Sequence, residues 1–169
     1  MPTTIARAGF ARPPLVPLFL RVLAAGLLAG VLDLGATTLL DVVILRDTTA
    51  TELLQSIASG LLGAAAYSGG RATAALGTAL HFLIATVWAA LFALVAGAWP
   101  ALRKLQARRQ ILLVGLAFGA FVWLFMDFVV LNWSRADAAP PSDWSFWAQL
   151  AIHMLCVGTP IAAVMLRAP

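Results

Sequence analysis

Four long apolar stretches, each bounded by arginine, tryptophan or proline, set the pattern of this chain. Residues 22–45 run from Arg21 to Arg46 and residues 72–99 from Arg71 to Pro100. Residues 111–133 follow Arg108 and Arg109, and residues 146–166 precede Arg167. Each is long enough to cross a hydrocarbon core of about 30 Å as an α-helix. Helix is the expected conformation because lipid offers no partners for backbone polar groups. The predicted fold is therefore all-α: a polytopic membrane protein with four transmembrane helices in one domain, 22–166.

Residues 50–64 break the pattern. Thr49-Ala-Thr-Glu52 matches a capping box, in which threonine and glutamate side chains satisfy free backbone N–H groups. A helix from there places Leu53, Leu54, Ile57, Ala58, Leu61 and Ala64 on one face and Glu52, Gln55, Ser56, Ser59, Gly60 and Gly63 on the other. It is too short to cross. It is expected to lie amphipathically in the outer interface or to re-enter the membrane between spans one and two, with Gly69-Gly70 turning the chain into span two. Residues 1–21 read as a cytoplasmic N-terminal tail that resembles neither a signal nor a transit peptide.

Composition agrees with this pattern. Of 169 residues, 62% are hydrophobic and 11% charged, and the mean hydropathy is +0.95. These values exclude a disordered chain or a typical water-soluble enzyme. The net charge of +4 carries topology and implies no nucleic-acid partner. Four spans put Arg7, Arg12, Arg21, Arg103, Lys104, Arg108, Arg109 and Arg167 on one side, and Arg46, Arg71 and Arg135 on the other. Cytoplasmic loops collect basic residues, so both termini are expected in the cytoplasm. Arg103, Lys104, Arg108 and Arg109 are candidates for anionic headgroup contact or simply for setting topology. Trp99, Trp133, Trp144 and Trp147 fall at span ends, where interfacial aromatics belong.

Against so apolar a background, each ionisable residue within a span needs a reason, since a central charge costs about 2.5–3.5 kcal/mol on insertion scales. Asp33, His81, Asp127 and His153 are the four, with Asp41 nearer the outer surface. In span one, Gly26, Gly30, Asp33, Thr37 and Asp41 share an arc of roughly 80°. Gly26 and Gly30 also form a close-packing Gly-x-x-x-Gly pair. His81 shares a side with Gly77, and Gln149, His153, Cys156 and Pro160 share another. Gly115 and Gly119 mark a separate packing contact. Counting rise along each stretch places Asp33 and His81 near mid-membrane and Asp127, His153 and Asp41 in the outer half. The expected pairs are then Asp33 with His81 and Asp127 with His153.

Two readings stay open. In one, these residues are satisfied polar contacts that fix helix register in a non-enzymatic subunit or assembly partner. In the other, they form a proton or cation path in a small channel or transporter, because histidine titrates near neutral pH and buried carboxylates can move towards it. Enzyme motifs such as G-x-S-x-G, the P-loop and H-E-x-x-H are absent, and one cysteine, Cys156, excludes an internal disulfide. No cofactor or metal is expected. The expected partners are the lipid bilayer and a second copy or another membrane protein.

The run Leu54-Gln-Ser-Ile-Ala-Ser-Gly-Leu-Leu-Gly63, then Gly69-Gly70, Thr73-Ala-Ala-Leu-Gly77 and His81-Phe82, is similar to small bacterial inner-membrane proteins. With Pro100 to Lys104, Gly115 to Gly119 and His153, the chain resembles the YagU-type family, whose activity is not established. That resemblance spans residues 20–166. It implies a bacterial inner membrane and about four spans, and assigns no activity.

Overall fold

The computed structural model describes residues 15–105, 107–136 and 143–167. Arg7 and Arg12 of the topology argument lie outside them. Among the described residues there is no strand, and four helices are long and apolar enough to span a membrane. Span one is Pro17–Ile44, span two Gly70–Ala98, span three Arg108–Trp133 and span four Trp144–Leu166. The short extra helix is Ala50–Leu62.

The helices begin two to five residues earlier than their apolar stretches. Arg21, Arg71, Arg108 and Arg109 sit inside the first turns instead of before them, because a long basic side chain can leave the apolar layer without ending the helix. Arg21 shows what this gains. Its Nη2 donates to the carbonyls of Val164, Met165 and Arg167 at 2.7, 3.0 and 2.9 Å, capping the last turn of span four.

Span one packs against spans two and four, and span three packs against span four. Small residues set these approaches. A Cβ on Gly26 would meet Thr86 Cα at 2.5 Å, and one on Gly30 would meet the Phe82 ring at 2.7 Å. Gly115, Gly119 and Gly158 interlock, and a Cβ on any of them would collide with the facing backbone. The glycine stripe of span one is buried through Asp33, while Leu27, Leu28, Val31 and Leu32 are exposed on its lipid-facing side. Trp99, Trp133, Trp144 and Trp147 stand exposed at span ends, whereas Trp88 and Trp123 are buried.

Three spans widen into π-helical stretches: Thr38–Ile44, Met126–Val130 and His153–Gly158. The register change is carried by backbone bonds from Leu45, Leu131 and Thr159 to the carbonyls of Leu40, Met126 and Met154, five residues back. In span four the cause is readable. Pro160 lacks an N–H, and the wider turn just before it rearranges the carbonyls that would otherwise be unpaired, with the Thr159 hydroxyl also donating to Met154 at 2.9 Å.

The short helix closes one end of the bundle, and we call it the lid helix. Its capping box forms: the Glu52 N–H donates to Thr49 Oγ1 at 3.2 Å and the Thr49 N–H to Glu52 Oε2 at 2.9 Å. At its other end, the Arg135 N–H donates to the Gly60 carbonyl at 2.9 Å, tying it to the end of span three. Gly63 and Gly70, at φ +62° and +56°, reverse the chain on either side of a 3-10 segment, Gly63–Ser68.

The face it buries differs in part from the expected one. Ala58 is buried and Leu53, Leu54 and Ile57 are half-buried, but Gln55 and Ser59 are buried too, and Leu61 and Ala64 are exposed. The reason is span two. Gly77 lets the helix approach so closely that a Cβ there would strike the Leu54 carbonyl, and Gln55 Nε2 donates to the Gly70 carbonyl and Thr73 Oγ1 at 3.1 and 3.2 Å. A satisfied amide is as good a contact there as an apolar side chain.

Candidate functional site

The observed span limits place three ionisable residues at one depth. Asp33, His81 and His153 all lie about 3–5 Å from the middle of their spans, towards the lid. Their packing brings them together. Asp33 Oδ2 is 4.0 Å from His81 Nε2, and Oδ1 is 3.7 Å from His153 Nδ1. The carboxylate of span one thus sits between imidazoles from spans two and four.

The Asp33–His81 pair expected from the chain alone is present, but the ion pair of His153 is with Asp33 and not with Asp127, which lies about 10 Å from the middle of span three. Asp127 does not line the cavity described below, though His153 is the ionisable group close enough to act on it. The earlier start of span one and the π-helical turn at His153 shift the levels that straight, evenly bounded helices would give.

Each imidazole is oriented by a backbone carbonyl. His81 Nε2 is 2.9 Å from the Gly30 oxygen, and His153 Nδ1 is 3.0 Å from the Gln149 oxygen. A carbonyl only accepts, so these two nitrogens carry hydrogen. Phe82 packs edge-on against His81, with ring centroids 5.5 Å apart. In span four, Gly119 admits the backbone of His153 and Met154 against span three.

Asp33 itself is incompletely satisfied. It is 8% exposed, and its Oδ1 is buried with no hydrogen-bond donor among the described residues. An unpaired buried oxygen costs about 1–3 kcal/mol, more when charged. Asp33 is among the residues lining a cavity of about 220 Å3, with Thr37, His81, Gln149 and His153 and apolar side chains including Ile84, Trp88, Val122 and Met126. Leu53 and Ile57 of the lid helix form part of its wall.

Polar groups continue from the site towards the lid end. The Gln149 carbonyl accepts from His153, while its side-chain Nε2 donates to Asp41 Oδ2 and Oδ1 at 3.2 and 3.4 Å. Asp33, His153, Gln149 and Asp41 therefore form a ladder along the seam between spans one and four. Helical spacing places Gln149 on the His153 face; its partner on span one, Asp41, is not legible in its own helix.

The remaining candidates serve the frame. Gly26, Gly30, Gly77, Gly115 and Gly119 make the close approaches described above, Gly77 with the lid helix and not with another span. Arg103, Lys104, Arg108 and Arg109 are exposed at the end opposite the lid. Cys156 is half-buried and unpaired by a disulfide. Among the described residues no group of three or more His, Cys, Asp or Glu is placed to hold a metal ion.

These features define a four-span membrane protein with a buried acid–imidazole site. No family model, curated protein or solved structure matches the chain.

Proposed function

We propose that this protein is a non-enzymatic, proton-linked channel or transporter of the bacterial inner membrane. Asp33 is its central proton-accepting group, His81 and His153 its partners, and both termini face the cytoplasm. The observation that carries the reading is the Asp33 carboxylate at the wall of a cavity and between two imidazoles, its Oδ1 without a hydrogen-bond donor among the described residues. Acids and imidazoles in series are what proton relays use. Protonation of either ring makes a cation whose nearer nitrogen lies within 4.0 Å of the carboxylate. The ladder through Gln149 to Asp41 supplies a polar route to the lid end. The resemblance to YagU-type proteins and the basic cluster from Arg103 to Arg109 support the membrane and the orientation. Four spans are a small frame for transport, which supports action as a homo-oligomer or with a membrane partner.

A second reading has its own observation. Both imidazoles donate to backbone carbonyls across or within tightly packed helices, as a polar core that only fixes register would have them do. Flux separates the two. Vesicles holding the purified protein and a pH-sensitive dye should dissipate an imposed pH gradient, and Asp33→Asn should slow this at least tenfold while the protein still folds. Dissipation no faster than in empty vesicles overturns the proton-linked reading and leaves the structural one. Tags on both termini test orientation, and a periplasmic C-terminus refutes it.

A further inference from the structure

We infer that the cavity beside Asp33 binds a small organic monocation, an ammonium group carried on an apolar body of about ten heavy atoms. The inference rests on the proton-linked reading and names the solute class of that same site.

Three observations converge on this chemistry. First, the Asp33 carboxylate is at the wall of the cavity, and its buried Oδ1 lacks a donor among the described residues. Nearby groups do not supply that donor, since the closest nitrogens of His81 and His153 already donate to Gly30 and Gln149. An ammonium N–H is the donor that also balances the carboxylate charge. Second, the rest of the wall is mostly apolar: Leu34, Leu53, Ile57, Ile84, Val122 and Met126 among others. A strongly hydrated inorganic cation would lose its water there with too few oxygens to replace it. An amine with a hydrocarbon body loses little and gains apolar contact. Third, the size fits. An apolar cavity of roughly 150 Å3 accepts benzene, and this one is about 220 Å3. Trp88 adds an aromatic wall suited to a cation.

Competition links the amine to protons. The titratable groups around Asp33 are His81 from span two and His153 and Cys156 from span four. Span three and the lid helix present apolar side chains to the cavity. A proton on the carboxyl removes the acceptor, and a proton on either imidazole supplies a rival cation. Amine and proton therefore exclude one another, which is the requirement for exchange of one against the other.

The test uses the full chain in lipid nanodiscs with benzylamine, benzyl alcohol and benzoate as probes in equilibrium dialysis. Benzylamine should bind saturably, at least tenfold tighter than the neutral alcohol, with benzoate not bound. Raising the pH from about 5.5 to about 7.5 should tighten benzylamine at least fivefold, because fewer protons then compete with the amine for the site. Asp33→Asn should weaken it at least tenfold. Leu53→Trp, which fills the cavity from the lid and leaves the carboxylate intact, should do the same in a protein with unchanged melting. Equal binding of the alcohol, or benzylamine binding indifferent to pH or to both substitutions, overturns the inference. Proton flux without benzylamine binding overturns it alone and leaves the proton-linked reading standing.

Discussion

The two halves of the bundle are built differently. Towards the termini, Ala25, Ala29, Phe92, Ala96, Ile111, Ile161, Ala162 and Leu166 close into a dry core, and Arg21 staples span one to the end of span four. Towards the lid, the helices widen into π turns that carry Asp41, Asp127 and His153, and a cavity opens between them. Among the described residues the three buried polar ones, Asp33, Gln55 and Ser59, lie in that half. The contrast is one of packing. A close-packed half holds the helices in register, so the other half can keep a carboxylate oxygen short of a donor and room beside it. In lipid, where association depends on packing and not on expelling water from between helices, such close contact is made with alanine and glycine.

The largest expected effect comes from breaking the joint between the halves. Gly119→Leu would drive a branched side chain into the His153 backbone, so spans three and four must separate. We expect a loss of about 3 kcal/mol or more and collapse of proton flux, measured by thermal unfolding in detergent and by the vesicle assay. A variant that melts like the unmutated protein would show that the glycine contact is not the joint. The halves should next differ in their tolerance of truncation. Ile161→Ala in the dry core should cost on the order of 2–4 kcal/mol, whereas Leu53→Ala at the half-buried cavity wall should cost under about 1 kcal/mol. Equal costs would erase the distinction.

Asp33→Asn sharpens the comparison from the other side. Removing a charge whose buried oxygen has no donor should leave stability unchanged or raise it by about 1 kcal/mol while abolishing flux. A strongly destabilised Asp33→Asn would instead make the carboxylate part of the frame. The smallest effect is at the lid's edge. The Thr49 backbone N–H and hydroxyl hold the exposed Glu52 carboxylate below the usual glutamate range. A lowered value means the stabilisation is present above that range and is lost as the pH falls through it. Amide exchange over the first turn of the lid helix should therefore quicken below about pH 4, with the dry core unaffected. Protection unchanged by acid would remove the cap from the account.

Much of the frame was legible in the residues. Four stretches of low polarity had to be helices, and the Gly26–Asp41 stripe had to face inward, because both follow from one helix and its solvent. The capping box was legible for the same reason. The partnership of Asp33 with His153 was not, since depth counted from sequence assumes straight helices that begin at their last charge. Arg21 and the π turns broke that assumption by a few residues, enough to change partners. The buried Gln55 and Ser59 faces of the lid helix were also hidden, because amphipathicity reads only the contrast along one helix. Here the receiving surface, Gly70 and Thr73, offered hydrogen bonds.

The sequence by itself determined that this chain makes four membrane-crossing helices and a capped fifth, and which ionisable residues have to be explained. Those are local consequences of hydropathy, periodicity and backbone hydrogen bonding. Only the tertiary structure decided which acid meets which imidazole, that an oxygen of Asp33 is left without a donor, and that a cavity lies beside it. These depend on angstrom-scale offsets between helices, fixed by glycine contacts and widened turns whose effect no single stretch of sequence contains.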